Sequence, residues 1–120
     1  MSITDMSTPG PSKKELLSGT LDLLVLKTLD TMGPLHGYAI ARRIEQMSAT
    51  VTRLSQGSIY PALIRLEQQG WIKTRWGLSE TNRNVKFYSL TRSGARQLQI
   101  EVASWEQTIS LVSRILGAKA

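Results

Sequence analysis

The chain has 120 residues, a formal net charge of +6, 41% hydrophobic residues, no cysteine and one histidine. That length suits one domain with a modest core. The composition excludes disulfides, thiolate metal sites, a cysteine nucleophile and a histidine-rich metal centre within one chain.

Residues 1–14 (MSITDMSTPGPSKK) are rich in Ser, Thr, Pro and Gly and read as a flexible N-terminal arm. The arm lacks the apolar stretch of a secretory signal, and no apolar run of the chain is long enough to span a bilayer. Together with the lack of cysteine, this fits a cytoplasmic location. Leu16 to Met32 reads as the first helix, with Leu21, Leu24, Val25, Thr28 and Leu29 on one stripe and Leu23 and Leu26 on the other side. A helix that is apolar around most of its circumference is buried on most of it, and a second subunit is one way to cover the extra face.

Gly33-Pro34 ends that helix, and a second runs from about His36 to Met47. Tyr38, Ala41, Ile44 and Met47 are expected inward, with Arg42, Arg43 and Glu45 outward. His36 reads as a capping or packing residue. Ser48 to Leu54 is a polar connection with room for a very short strand.

The next stretch, SQGSIYPALIRLEQQ (Ser55 to Gln69), predicts a short helix with two unlike faces. Ile59, Ala62, Leu63 and Leu66 recur at helical spacing and require a core. Ser58, Tyr60, Pro61, Arg65 and Gln68 fall outside that stripe. Apart from the proline, these offer the hydroxyl, phenol, guanidinium and amide groups that hold phosphates and base edges. Pro61 is expected in the first turn, and Gly70 is the expected stop.

After Gly70 the period changes. WIKTRW and VKFYSL read as the strands of a hairpin around the turn-rich GLSETNRN, packed on the helices through Trp71, Ile72, Phe87 or Leu90. The last helix opens at Thr91-Arg92-Ser93-Gly94. Its apolar positions, Ala95, Leu98, Val102, Trp105, Ile109, Val112 and Leu116, alternate in steps of three and four, the pattern of a heptad seam. Such a seam packs on a partner helix or folds back on its own domain.

The excess charge is localised: Thr50 to Arg96 holds eight basic and two acidic residues. Charge concentrated this way points to nucleic acid or an anionic surface. The expected fold is mainly α with a small β-hairpin: a winged helix-turn-helix over residues 15–91, followed by a long C-terminal dimerisation helix over 92–120. In that arrangement the third helix enters the major groove of double-stranded DNA and the hairpin lies on flanking backbone or minor groove. The candidate DNA contacts are Gln56, Ser58, Tyr60 and Arg65 on or beside the helix, and Arg83, Asn84 and Lys86 on the wing. The candidate dimerisation residues are Leu21 and Leu24, then Leu98, Val102, Trp105, Ile109, Val112 and Leu116. A two-fold dimer reads a near-palindromic site. Trp105, mid-seam, is either ordinary dimer core or a slab on which a flat ligand stacks.

The segments LLSGTLDLLVLKTLDTMGPLHGYAIARRIE, QGSIYPALIRLEQQGWIKTRW and NRNVKFYSLTRSGARQL resemble the PadR family of bacterial transcription regulators, over about Leu16 to Leu116. GPLHGY, GSIYPAL and KFYSLT in this order carry the resemblance. It implies an N-terminal winged helix and, as in the small type, a single C-terminal dimerisation helix. It also implies repression by operator binding, often with release by a small ligand such as a phenolic acid or a lipophilic drug.

Other functions are less well supported. With one histidine, no phosphate loop of the form GxxxxGK and scattered acids, nothing suggests an enzyme, a cofactor or a metal. The final helix is nearly charge-balanced, unlike a membrane-surface helix, and the aromatic platform of an RNA reader is not evident. The alternative is a winged-helix module for protein contacts without specific DNA binding, which would need no concentration of charge on helix and wing.

Overall fold

The computed structural model describes residues 13–48 and 56–117. The chain runs α1 (Lys13–Met32), β1 (Leu35–His36), α2 (Gly37–Ser48), α3 (Gln56–Gln68), β2 (Ile72–Leu78), β3 (Asn84–Leu90) and α4 (Arg92–Ile115). The expected helix–helix–helix–hairpin–helix order holds, with one addition. Leu35–His36 pairs with β3, Leu35 opposite Tyr88 and His36 opposite Phe87, so the hairpin becomes a three-stranded antiparallel sheet in the order β1-β3-β2. The third strand ties the start of α2 to the wing, which two strands alone would do poorly. The very short strand expected within Ser48 to Leu54 falls almost wholly outside the described residues.

One core joins all three short helices. Leu21, Val25, Leu26 and Leu29 of α1 meet Ile40, Ala41 and Ile44 of α2 and the predicted stripe Ile59, Ala62, Leu63 and Leu66 of α3, all buried. Tyr88 and Ile72 close it from the sheet and Leu98 from α4. Of the residues expected to dock the hairpin, Trp71, Ile72 and Leu90 pack on the core, whereas Phe87 pairs with His36 across the sheet.

Two expectations for α2 are corrected. Tyr38 is 52% exposed and Met47 70%, although both were expected inward. The buried stripe is Gly37, Ile40, Ala41 and Ile44, which share one face at helical spacing, and Tyr38 lies about 100° round the helix from Gly37, off that face. Pro61 is likewise the sixth residue of α3 and not in its first turn, since the helix starts at Gln56.

The stops come where they were predicted. Gly33 takes φ 81° after α1 and Gly70 takes φ 77° after α3. After α3, Gly70 N–H donates to the Glu67 carbonyl and Trp71 N–H to that of Leu66, a left-handed cap that satisfies the last carbonyls and turns Trp71 back to the core. Thr91 caps α4: its hydroxyl accepts from Gly94 N–H at 2.9 Å and donates to the Gly70 carbonyl at 2.7 Å. The end of α3, the base of β2 and the start of α4 are thereby fixed to one another. Gly94 lies so close to the Trp71 carbonyl that a Cβ there would overlap its oxygen.

Candidate nucleic-acid interface

α3 buries one face and presents Tyr60, Pro61, Ile64 and Gln68 on the other. These residues recur at helical spacing, so they form one outward stripe. Tyr60, a predicted contact, is on it. Gln56 and Ser58, also predicted, belong to the first turn of the same helix, and their side chains lie outside the described part of the molecule. Ile64, which the sequence reading passed over, is 55% exposed in the middle of the stripe and is an apolar group of the kind that touches a thymine methyl.

Arg65, also predicted as a contact, has a partner within the chain. Its Nη2 lies 2.7 Å from Oδ1 of Asp22 on α1. It is held on the flank of α3 by a charge-assisted hydrogen bond and bridges two helices instead of extending free from the outward stripe.

The wing is held open by its own turn. Ser79 N–H donates to the Arg83 carbonyl and Asn82 N–H to that of Ser79, while Asn82 takes the left-handed conformation at φ 63°. The Ser79 hydroxyl also accepts from the N–H groups of Thr81 and Arg83. Past this turn, β3 sets Asn84 opposite Leu78 and Lys86 opposite Trp76. Since side chains alternate along a strand, Trp76, Leu78, Asn84 and Lys86 share the sheet face that carries Ile72 and Tyr88 to the core. Among the described residues nothing covers that face beyond the core. Trp76 is 65% exposed, and Arg83, Asn84 and Lys86 are all exposed. Among the described residues neither Arg83 nor Lys86 takes part in an ion pair.

Wing and helices face each other across a cleft of about 770 Å³. One wall is His36, Gly37, Tyr38 and Tyr60; the other is Trp76, Arg83, Asn84 and Lys86, with Tyr88 between them. Glu80 is the one carboxylate among the lining residues. His36 has the capping and packing role expected of it: its Nδ1 accepts from Ala39 N–H at 3.3 Å, and its ring meets that of Phe87 edge-on. At Gly37 a Cβ would sit 3.0–3.2 Å from the hydroxyl end of the Tyr60 ring, so the missing side chain lets that ring seat closely on α2. The Tyr88 phenol is pushed above its ordinary value by burial, and further by Tyr60 and Glu67, so it stays neutral.

The predicted dimerisation residues divide. Leu21 and Leu98 are buried in the single-chain core, and Leu24 and Val102 pack against it. Trp105 is half-buried. Ile109, Val112 and Leu116 are exposed, and so are Leu111 and Ile115 beside them. Thus α4 folds back on its own domain for its first half and carries uncovered aliphatic side chains along its second. No helix of the described residues is long and apolar enough to cross a membrane.

With the geometry in place, comparison with known proteins identifies the class. Residues 25–100 match the transcriptional regulator PadR-like family. A PadR-like transcriptional regulator from Bacillus cereus superposes with a TM-score of 0.74 at 26% identity, over 88% of this chain and 99% of that one. A PadR family regulator from Eggerthella lenta gives 0.73 at 30% identity over 88% of each chain. A transcriptional regulator from Clostridium thermocellum gives 0.74 at 26% identity, over 83% of this chain and 93% of that one. An uncharacterised 37.1 kDa protein of a Streptomyces fradiae transposon is 44% identical over 72 residues, which are 60% of this chain and 19% of the relative, so the chain spans about a fifth of its length. The chain belongs to the PadR-like family of transcriptional regulators, and its fold is the winged helix-turn-helix of that family with a long C-terminal helix.

Proposed function

We propose that this regulator binds operator DNA as a homodimer and represses transcription. α3 enters the major groove with Tyr60 and Ile64 at the base edges, and Arg83, Asn84 and Lys86 of the wing hold the flanking backbone. The observation that carries this reading is that Tyr60 of the outward α3 stripe lines one cleft with the wing, where Arg83 and Lys86 have no carboxylate partner among the described residues. Cations left without internal partners on a face bearing aromatic groups suit a polyanion. The protein-interaction alternative gives no account of that charge.

The homodimer rests on the second half of α4. Ile109, Val112 and Leu116 continue the seam that Leu98 and Val102 begin, and a second copy of the helix covers them. Two-fold symmetry then places two copies of α3 on successive turns of a near-palindromic site. For release, a flat aromatic or lipophilic effector stacks on Trp105, where seam and domain meet; if Trp105 serves only as dimer core, Trp105→Phe leaves every response unchanged.

The test is a protection footprint on DNA from upstream of the protein's own gene. The expected result is two protected half-sites with centres roughly one helical turn apart, about 10 base pairs, or a multiple of that. A single half-site, or uniform protection along the fragment, contradicts the dimeric, sequence-specific reading.

A further inference from the structure

We propose that the cleft between the wing and the start of α2 clamps one sugar–phosphate strand of the duplex, with Tyr38 donating to a phosphate and Trp76 packed on a deoxyribose. The inference rests on the DNA-binding reading above and adds two contacts that charge and motif did not assign.

Tyr38 offers a hydroxyl in preference to a stacking surface. Its ring is engaged by its neighbours: the His36 ring is near-parallel at a centroid distance of 6.4 Å, and the Arg42 guanidinium lies 5.9 Å over it. Arg42 Nη1 is also 3.5 Å from the phenol oxygen. The phenol therefore accepts from a cation and keeps its own O–H free to donate to an anion, with the same guanidinium beside that anion. Gly37 adds to this. It lets Tyr60 of α3 seat against α2, so the first turn of α2 and the outward stripe of α3 form one continuous wall.

The facing wall has the complementary character. Trp76 and Lys86 are opposite one another on β2 and β3 and line the same cleft as Tyr38. The indole is 65% exposed although it shares a sheet face with the core residues Ile72 and Tyr88. A large exposed aromatic beside a lysine that has no ion-pair partner among the described residues matches what a backbone strand presents, an apolar sugar next to an anionic phosphate. The cleft has the Tyr38 hydroxyl on one side, with Arg42 behind it at 3.5 Å, and an indole, an ammonium and the Arg83 guanidinium on the other, which fits an alternating sugar–phosphate chain. The same wall could instead stack an unpaired base, but the ring of Tyr38 is engaged by His36 and Arg42, and that of Tyr60 is seated against Gly37.

The experiment is fluorescence anisotropy on an upstream duplex, a scrambled duplex and a matching single strand, with wild type, Tyr38→Phe and Trp76→Ala. Both side chains are exposed, so both variants should melt with wild type, which thermal unfolding checks. Tyr38→Phe removes one neutral donor to a phosphate and should weaken both duplexes alike by about tenfold without changing the salt slope. Trp76→Ala should weaken both duplexes by a similar factor. If wild type binds the duplexes and both variants bind as tightly as wild type, the clamp is wrong and the DNA reading stands. Losses confined to the single strand also overturn the clamp, in favour of base stacking. If wild type binds no duplex, both readings fall.

Discussion

The molecule leaves two surfaces uncovered, and their chemistry differs. Around the cleft the exposed groups are Tyr38, Tyr60, Trp76, Arg83 and Lys86; along the second half of α4 they are Ile109, Leu111, Val112, Ile115 and Leu116. The first set joins aromatic rings to cations, with Glu80 the one carboxylate among the lining residues of the cleft, whereas the second is aliphatic. An aliphatic face needs another apolar face, and an aromatic–cationic face needs an anion with some apolar surface of its own. The contrast matches the two partners proposed above, a second copy of the chain at α4 and a nucleic-acid backbone at the cleft.

That division is most directly broken at α4. Ile109→Asp with Val112→Asp should give a folded monomer by analytical ultracentrifugation. Its operator affinity should fall about a hundredfold or more, since linked half-sites gain that much from effective concentration. A dimer that persists at low protein concentration would place the interface elsewhere.

Gly94→Ala tests whether the two surfaces share one rigid support. The added Cβ meets the Trp71 carbonyl oxygen at the junction of β2 and α4. The expected cost is about 1–3 kcal/mol in denaturant unfolding, as for other overpacked sites. An unchanged midpoint would mean that α4 is not held to the domain there.

Tyr60→Ala and Arg83→Ala sharpen the comparison within the DNA face. Tyr60→Ala should cost about 1–3 kcal/mol on the matched duplex and less on a mismatched one. Arg83→Ala should weaken both alike and flatten the salt slope by about one. Equal losses on both duplexes for Tyr60→Ala would remove it from base reading. The smallest effect is expected at Arg65. Its partner Asp22 and the partial exposure of both limit the pair to less than about 1 kcal/mol of stability, and Arg65→Ala should change operator affinity little. A loss as large as that of Arg83→Ala would mean the ion pair opens to reach DNA.

The parts of the fold that were legible in the sequence are those written in periodicity. The α3 stripe of Ile59, Ala62, Leu63 and Leu66 is buried as its spacing predicts, and Gly70 and Thr91 end and begin helices where their chemistry places them. A two-residue strand has no period, so Leu35–His36 was not readable as β structure. Tyr38 fits a three-residue step to Ala41 and Ile44, but the buried stripe runs through Ile40 and Ile44, each more than about 100° from Tyr38 around the helix. The contact of Arg65 with Asp22 spans 43 positions of sequence, and local pattern carries no trace of it. Trp76 and Ile64 were overlooked because composition marks them as core, and only the tertiary structure shows that the described residues leave them exposed. The heptad seam was visible, but a seam alone does not say that Leu98 and Val102 pack on the chain's own core while Ile109, Val112 and Leu116 stay exposed.

The central claim is sequence-specific binding through the α3–wing face. It is tested most directly by anisotropy of the purified protein on a labelled duplex from upstream of its own gene, titrated at several salt concentrations with scrambled competitor. Tight binding that resists the competitor and weakens steeply with salt is the predicted result. Binding that the scrambled duplex displaces equally well, or no binding at low salt, would contradict it.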